Sequence, residues 1–349
     1  MPVPSFSEAN GVSMKGPQKD EPPKNVFMSL MDFFDPDQHA PAPLVLLPQP
    51  LNPFPPEDRV KIFAKLMYLS PTLNLKWAPA FQMLQHAVSS GGAKEVHRVV
   101  EASSGNMALA LALQCRAFGL SRVDSFVPAD LAFVKKELLY LVGVHLDLCT
   151  DVPGEPTAIE KARSQGAEPG YLNLGQYENP GNPEAHARWT APGIWEQTQG
   201  ALTVFCGGMG TTGTLVGARE AFQSLSPKVQ VVGCLCAPGS AVPGLRTEAR
   251  LAEIHFDWQS GIHRVEVETK ESYRASLKLI RRGLLAGPSS GLALVGLLHF
   301  LESCRQDPAR WESLRNESGD IVASFICGDT PHLYIDKYST ILDAADFAV

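Results

Sequence analysis

The seven cysteines of this chain include no C-x-x-C pair, and only Cys234 and Cys236 stand close together. Alternate residues of a strand face opposite ways, so even these two are not set to meet. A disulfide framework and a zinc site are not expected, and a reducing compartment, the cytoplasm, is the expected setting. Basic residues form no long runs and the net charge is −7, which argues against nucleic acid and anionic membrane as main partners. No apolar segment of signal-peptide type opens the chain. Residues 1–24 are polar and proline-bearing, contain Glu8, Asp20 and Glu21 and lack arginine. They read as a disordered tail rather than a transit peptide. The apolar stretch from Leu284 to Leu301 is interrupted by Gly287-Pro288-Ser289-Ser290-Gly291, leaving a buried helix over 292–301 rather than a membrane span.

What is present is a length of 349 residues, enough for two domains with substantial cores. Strand-like and helix-like runs alternate. Strands are predicted over 60–66, 96–100, 122–127, 143–148, 201–206, 229–236, 263–267 and 321–326; helices are predicted over 78–87, 106–118 and 131–142. Such alternation implies parallel sheets covered by helices, with ligands at the carboxyl ends of the strands. Proline and glycine concentrate in 40–56 and 170–192, candidate boundaries.

The sharpest local signal is Gly207-Gly208-Met209-Gly210-Thr211-Thr212-Gly213-Thr214. It lies between the predicted strand 201–206 and an apolar helix start at Leu215. A glycine-rich turn there aims backbone N–H groups at one point and suits an anion, phosphate above all. Gly208-x-Gly210-x-x-Gly213 fits a dinucleotide fingerprint by spacing. That fingerprint also needs an acid at the end of the next strand, where this chain has Cys236-Ala237-Pro238. Thr211, Thr212 and Thr214 supply hydroxyls suited to a monophosphate ester. A purely structural turn and a dinucleotide site stay open as alternatives.

Three further turns follow predicted strands or open helices. Glu101-Ala-Ser-Ser-Gly-Asn106 could hold a carboxylate with Ser103, Ser104 and the helix amides, or could cap the helix through Ser104 or Asn106. Gly287-Pro288-Ser289-Ser290-Gly291 offers Ser289 as partner for a ring nitrogen, or as a cap. In Cys327-Gly328-Asp329-Thr330-Pro331-His332, an Asx turn is favoured over an Asp329–His332 acid–base pair. Lys76, at a helix mouth with apolar and aromatic neighbours, is placed to have a lowered pKa and act as an imine-forming amine; Lys65, mid-strand, is its rival. A monophosphate, an imine-forming lysine, a ring-nitrogen partner and a carboxylate loop together describe pyridoxal phosphate acting on an amino acid.

From Ala42 to Tyr338 these segments resemble, in order, the cysteine synthase family of fold-type II pyridoxal-phosphate enzymes. Ala42-Pro-Leu-Val45 is similar to T-P-L-V, and Ser70-Pro-Thr-Leu-Asn-Leu-Lys76 to N-P-S-x-S-V-K. The segment from Glu101 to Asn106 is similar to E-P-T-S-G-N. Gln176-Tyr-Glu-Asn-Pro-Gly-Asn-Pro183 with His186 is similar to Q-F-x-N-P-A-N-P-x-x-H. Gly210–Thr214 is similar to G-T-G-G-T, and 287–291 to G-I-S-S-G. The resemblance implies Lys76 as the Schiff-base lysine, and cofactor contacts from Asn106, Gly210, Thr211, Thr212, Gly213, Thr214 and Ser289. It implies substrate contacts from Ser103, Ser104, Gly105, position 107 and Gln176. It implies two three-layer α/β/α domains with mostly parallel sheets, the larger from 25–80 and 190–349 and the smaller from 81–189, with the cofactor in the cleft between them. A homodimer is implied as well.

The chain departs from the pattern at Trp77-Ala78, where K-D-R is common after the lysine, at Met107 in place of a threonine, at Thr212 in place of a glycine, and at Cys236-Ala237 in place of an acid. Thr212 carries strain if its position needs a positive φ. The activity implied is β-replacement or β-elimination on an O-activated serine or similar amino acid, through an aminoacrylate, with Lys76 as the α-proton base. A neutral serine at the ring nitrogen implies an unprotonated ring. A serine, threonine or cysteine deaminase and a non-catalytic binding relative remain as alternatives.

Overall fold

Ile321–Cys327 is buried at every one of its seven positions, the pattern of a strand covered on both faces. The structure is a computed structural model that describes residues 26–150 and 155–348; the tail expected over 1–24 lies outside them. Ten strands occur among the described residues: β1 Leu44–Leu46, β2 Val60–Leu66, β3 Arg98–Ala102, β4 Val123–Pro128, β5 Val144–Cys149, β6 Tyr171–Asn173, β7 Val204–Gly208, β8 Gln230–Cys236, β9 His263–Val267 and β10 Ile321–Cys327. They form a six-stranded sheet in the order β1-β2-β10-β7-β8-β9 and a four-stranded sheet in the order β5-β4-β3-β6. All neighbours are parallel except β1 and β2. This is the expected α/β architecture with mostly parallel sheets.

Helix Pro288–Arg305 is apolar around most of its circumference because it packs on β7, β8, β9 and β10. Pro288 opens it at a first-turn position, where a missing N–H removes no helical bond. Among the described residues no helix is long and apolar enough to cross a membrane. In the smaller layer, helix Asn106–Gln114 buries Ala108, Ala110 and Ala112, which lets it approach helix Trp77–Ser89 closely. That helix is followed by Gly91 at φ +79°, a left-handed residue of the kind that ends helices.

Several local expectations shift. The strand expected at 96–100 runs over Arg98–Ala102, its start set by pairing of Arg98 with Tyr171 of β6. The predicted helix 106–118 changes to a 3₁₀ turn at Cys115–Phe118. The proline-rich stretch 170–192 contains β6, helix Gly181–Ala185 and a π-helical turn at His186–Thr190. Cys234 does not pair off with Cys236. It faces Cys206 on β7, with the Sγ atoms 3.3 Å apart.

Candidate active site

The loop leading to Lys76 is built on Asn74. Ser70 Oγ accepts from the Asn74 amide at 3.2 Å and donates to its carbonyl at 2.9 Å. The Asn74 side chain donates to Thr72 O at 2.7 Å and accepts from the Lys76 amide at 2.9 Å. Leu75 N reaches Gly328 O at 2.7 Å, fastening the loop to the carboxyl end of β10. Lys76 is therefore held immediately before helix Trp77–Ser89. Its half-buried amine lies 3.3 Å from Thr211 Oγ1. Burial pushes its pKa down from 10.5 to about 8, partly opposed by Glu101. The departure at Trp77 has a structural account: its indole donates to Phe34 O at 2.7 Å and packs with Phe34 and Phe81. Lys65 is also pushed down to about 8 by burial. Its amine, however, is engaged by Ala42 O at 2.6 Å and Gln197 Oε1 at 2.7 Å, and it does not line the cleft.

The glycine-rich turn follows β7 and opens helix Gly213–Leu225. Thr212 sits at φ +64°, the left-handed region expected to strain it. A Cβ on Gly210 would lie 2.2 Å from Gly244 O, and one on Gly213 would lie 2.3 Å from Asn182 Oδ1. Thr211 Oγ1 accepts from Asn182 Nδ2 at 3.0 Å. Thr214 Oγ1 lies 3.1 Å from His186 Nε2, and His186 Nδ1 lies 2.9 Å from Thr190 Oγ1. Burial and the nearby Lys76 charge push His186 down to about 3, so it is a neutral brace behind the loop. The sequence placed His186 in a motif but did not show this contact. Thr212 Oγ1 is buried with no partner.

On the opposite wall stands the Glu101–Asn106 turn. Ser103 Oγ accepts from the Ala108 and Gly105 amides at 3.2 and 3.5 Å. Ser103, rather than Ser104 or Asn106, thus caps the helix start. Gln176 Nε2 donates to Ala102 O at 3.1 Å. Met107 is 1% exposed and packs mainly into the smaller core. Glu101 is buried beneath the loop, and burial pushes its carboxyl from 4.5 up to about 7.

The Asp329 turn is where the sequence reading needs correction. Asp329 is buried and lines the cleft. Its Oδ2 accepts from Asn106 Nδ2 at 2.7 Å and Tyr334 OH at 2.6 Å. Its side chain does not close the expected Asx turn, because Asn106 and Tyr334 supply buried donors that no local pattern announces. His332 does not pair with it; its Nδ1 lies 2.9 Å from Thr330 Oγ1 at the surface.

These walls enclose a cavity of about 320 Å³. Lys76, Ser103, Ser104, Gly105, Asn106, Met107, Gln176, Gly210, Thr211, Thr212, Thr214 and Ser289 all line it. Gly213 alone of the expected residues lies behind the wall, facing Asn182. Asp329, Tyr334, Tyr177, Lys135 and Arg246 line it too and were not expected. The amides at the first turn of a 13-residue helix and the orphaned Thr212 hydroxyl fit a phosphate monoester. A half-buried, readily deprotonated amine beside that cradle fits a carbonyl partner for the same molecule.

Comparison with known proteins agrees with this chemistry. A family model described as pyridoxal-phosphate dependent enzyme matches residues 37–310. A cysteine synthase of Aquifex aeolicus is 33% identical over 303 residues, covering 85% of this chain and 90% of the relative. A cysteine synthase B of Pseudomonas aeruginosa is 32% identical over 253 residues, covering 72% and 84%. Among solved structures, a cysteine synthase of Entamoeba histolytica superposes with a TM-score of 0.75 at 21% identity, over 96% of this chain and 95% of that one. An O-ureido-L-serine synthase gives 0.75 at 22% identity, over 91% and 97%. The chain belongs to the pyridoxal-phosphate dependent enzymes, of the cysteine synthase type, and its cofactor is pyridoxal 5'-phosphate.

Proposed function

We propose that the chain catalyses β-replacement on an amino acid bearing a leaving group at its β-carbon, an O-activated serine, with Lys76 as the base. One observation carries the reading. The Lys76 amine, its pKa lowered to about 8, touches the threonine of an anion cradle and shares a cavity with a serine-rich helix mouth. Pyridoxal phosphate, when bound, supplies the electron sink that acidifies the α-proton and lets the β-substituent depart. Lys76 would hold the cofactor at its carbonyl and, with its amine free, would take the α-proton as general base. Gly210, Thr211, Thr212, Gly213 (by its backbone alone) and Thr214 would hold the phosphate, Asn106 would meet the ring hydroxyl and Ser289 the ring nitrogen. Ser103, Ser104, Gly105 and Gln176 orient the α-carboxylate.

The relatives' names, cysteine synthase among them, support sulfide as the incoming nucleophile. The two sheets support the division into 25–80 with 190–349 and 81–189, the smaller unit closing over substrate to exclude water. The seven cysteines, all buried and scattered without a C-x-x-C pair, support a cytoplasmic setting. The family resemblance implies a homodimer, which light scattering of the purified protein checks.

The test is the visible spectrum of the purified protein, followed by product analysis with O-acetyl-L-serine and sulfide. The wild type should be coloured and Lys76→Ala should not carry the wild-type band. Cysteine is the expected product. Keto acid with no cysteine would move the reading to a deaminase, and a colourless protein that takes up no cofactor would refute it.

A further inference from the structure

Among the described residues the cavity is lined by four cationic side chains, Lys76, Lys135, Arg246 and Arg250, and by one acid, Asp329. The chain as a whole carries a net charge of −7, so the cavity reverses the sign of its surroundings. Two of the cations are engaged. Lys76 serves the cofactor's carbonyl in the proposed reaction, and the Arg246 guanidinium donates to Glu253 at 2.8 Å and lies over the Tyr177 ring at 5.0 Å. Lys135 and Arg250 differ: among the described residues no acid stands within ion-pair distance of either. Lys135 is half-buried on helix Phe133–Leu141, its ammonium 5.0 Å from the centre of the Tyr334 ring. A ring holds a cation in place without neutralising it. Asp329 Oδ2 is occupied by Tyr334 OH at 2.6 Å and Asn106 Nδ2 at 2.7 Å. Burial lowers the Lys135 pKa, and the more distant Asp329 and Asp336 charges oppose that. Arg250 is exposed at the rim. A partly desolvated ammonium without a counter-ion is completed by an anion.

We propose that Lys135 determines specificity by binding an anionic group, a carboxylate or a phosphate, carried by the departing β-substituent or by the incoming nucleophile, with Arg250 drawing that anion toward the cavity. The inference rests on the β-replacement reading and narrows its substrate class. The other anions of that reaction have their own places: the phosphate at the turn Gly210–Thr214, and the α-carboxylate at the Glu101–Asn106 turn. Neither turn contains Lys135 or Arg250. The β-substituent leaves with the bonding pair, and the thiolate sulfur supplies a pair to the β-carbon. A cation fixed on the wall attracts an anion on either partner, and an exposed cation at the rim raises the rate of its capture.

The experiment compares kcat/KM of the holoenzyme in two arms. The donor arm sets O-phospho-L-serine against O-acetyl-L-serine, each with sulfide. The nucleophile arm sets mercaptoacetate against 2-mercaptoethanol, each with O-acetyl-L-serine. The members of a pair differ in intrinsic reactivity, so the readout is the anionic-to-neutral ratio before and after Lys135→Met. That ratio should fall by about 10- to 100-fold, the size of a hydrogen bond to a charged group, and Lys135→Arg should keep it. A fall in the donor arm assigns the anion to the leaving group, and a fall in the nucleophile arm assigns it to the attacking thiol. Ratios unchanged in both arms overturn the proposal, as does an equal loss for anionic and neutral partners. Lys135→Gln serves in the same way if Lys135→Met does not fold. A protein that turns over none of these pairs refutes the β-replacement reading itself, whereas turnover with unchanged ratios refutes this inference alone.

Discussion

Replacing Thr212 by glycine should stabilise the cofactor-free protein and weaken cofactor binding at once. Thr212 sits at φ +64° with a buried, unpartnered hydroxyl. A left-handed conformation costs a non-glycine residue about 1–2 kcal/mol, and a bare buried hydroxyl about 1–3 kcal/mol more. Glycine removes both and loses about 0.5–1 kcal/mol through the greater freedom of its unfolded chain. The net expectation is a gain of about 1–4 kcal/mol, read by urea denaturation of the apoprotein. The same hydroxyl is free to donate to the cofactor's phosphate, and a hydrogen bond to a charged group contributes about 1.5–3 kcal/mol. Cofactor affinity, read by fluorescence titration, should therefore fall by about 10- to 100-fold. Thr212→Ala separates the two terms, because alanine keeps the strain of the positive φ while losing the hydroxyl with its neighbouring methyl: it should match glycine in affinity and gain less stability. A glycine variant less stable than the wild type would refute the strain argument. A glycine variant with unchanged affinity would refute the hydroxyl's role.

Two further substitutions probe the scaffold. Gly217 lies where a Cβ would come 2.0 Å from Pro183 O, so Gly217→Ala should push helix Gly213–Leu225 off helix Gly181–Ala185. It should destabilise by about 1–3 kcal/mol or more, and unchanged melting would contradict the packing. Glu101 has its folded pKa raised from 4.5 to about 7. The fold favours its neutral form, so this group's penalty is absent below about pH 4.5, grows as pH rises and is complete above about 7. The full effect is about 3 kcal/mol. The stability of Glu101→Gln relative to the wild type should increase by up to that amount between acid and mildly alkaline pH. Parallel denaturation curves across that range would show that the ionised Glu101 is compensated.

Those parts of the site that depend on neighbours in the chain were legible before the structure. The Asn74 loop organises itself within seven residues, so the pattern around Lys76 carries its own geometry. The strain at Thr212 follows from a threonine at a position whose resemblance calls for glycine. Long-range partners leave no such trace. Asn106 and Asp329 are 223 residues apart, and the turn chemistry around Asp329 taken alone indicates an Asx turn. Cys206 and Cys234 meet only because β7 and β8 pair in one register. The three-residue strands β1 and β6 are too short for periodicity to register.

The carboxylate loop shows how the structure narrows a list that sequence can only assemble. Position 107 was grouped with the substrate contacts because relatives use a threonine there, yet Met107 is turned into the core and has no polar atom to offer other than a thioether. The Ser103 hydroxyl already receives two helix amides, and Gln176 already donates to Ala102 O. Each keeps a proton to give, the Ser103 O–H and a second Gln176 N–H, so the loop offers a carboxylate these two with the Ser104 hydroxyl and the amides at the mouth of helix Asn106–Gln114. Backbone amides at a helix start bind a carboxylate whatever the rest of the amino acid is. On this arrangement the loop fixes the α-carboxylate and leaves discrimination among β-substituents to the cavity's other side chains. Lys135, Tyr177 and Arg246 line it there. Substitution at Ser103 should then both loosen the helix start and raise KM, whereas substitution at Ser104 should raise KM alike for every amino acid the enzyme accepts and leave stability unchanged.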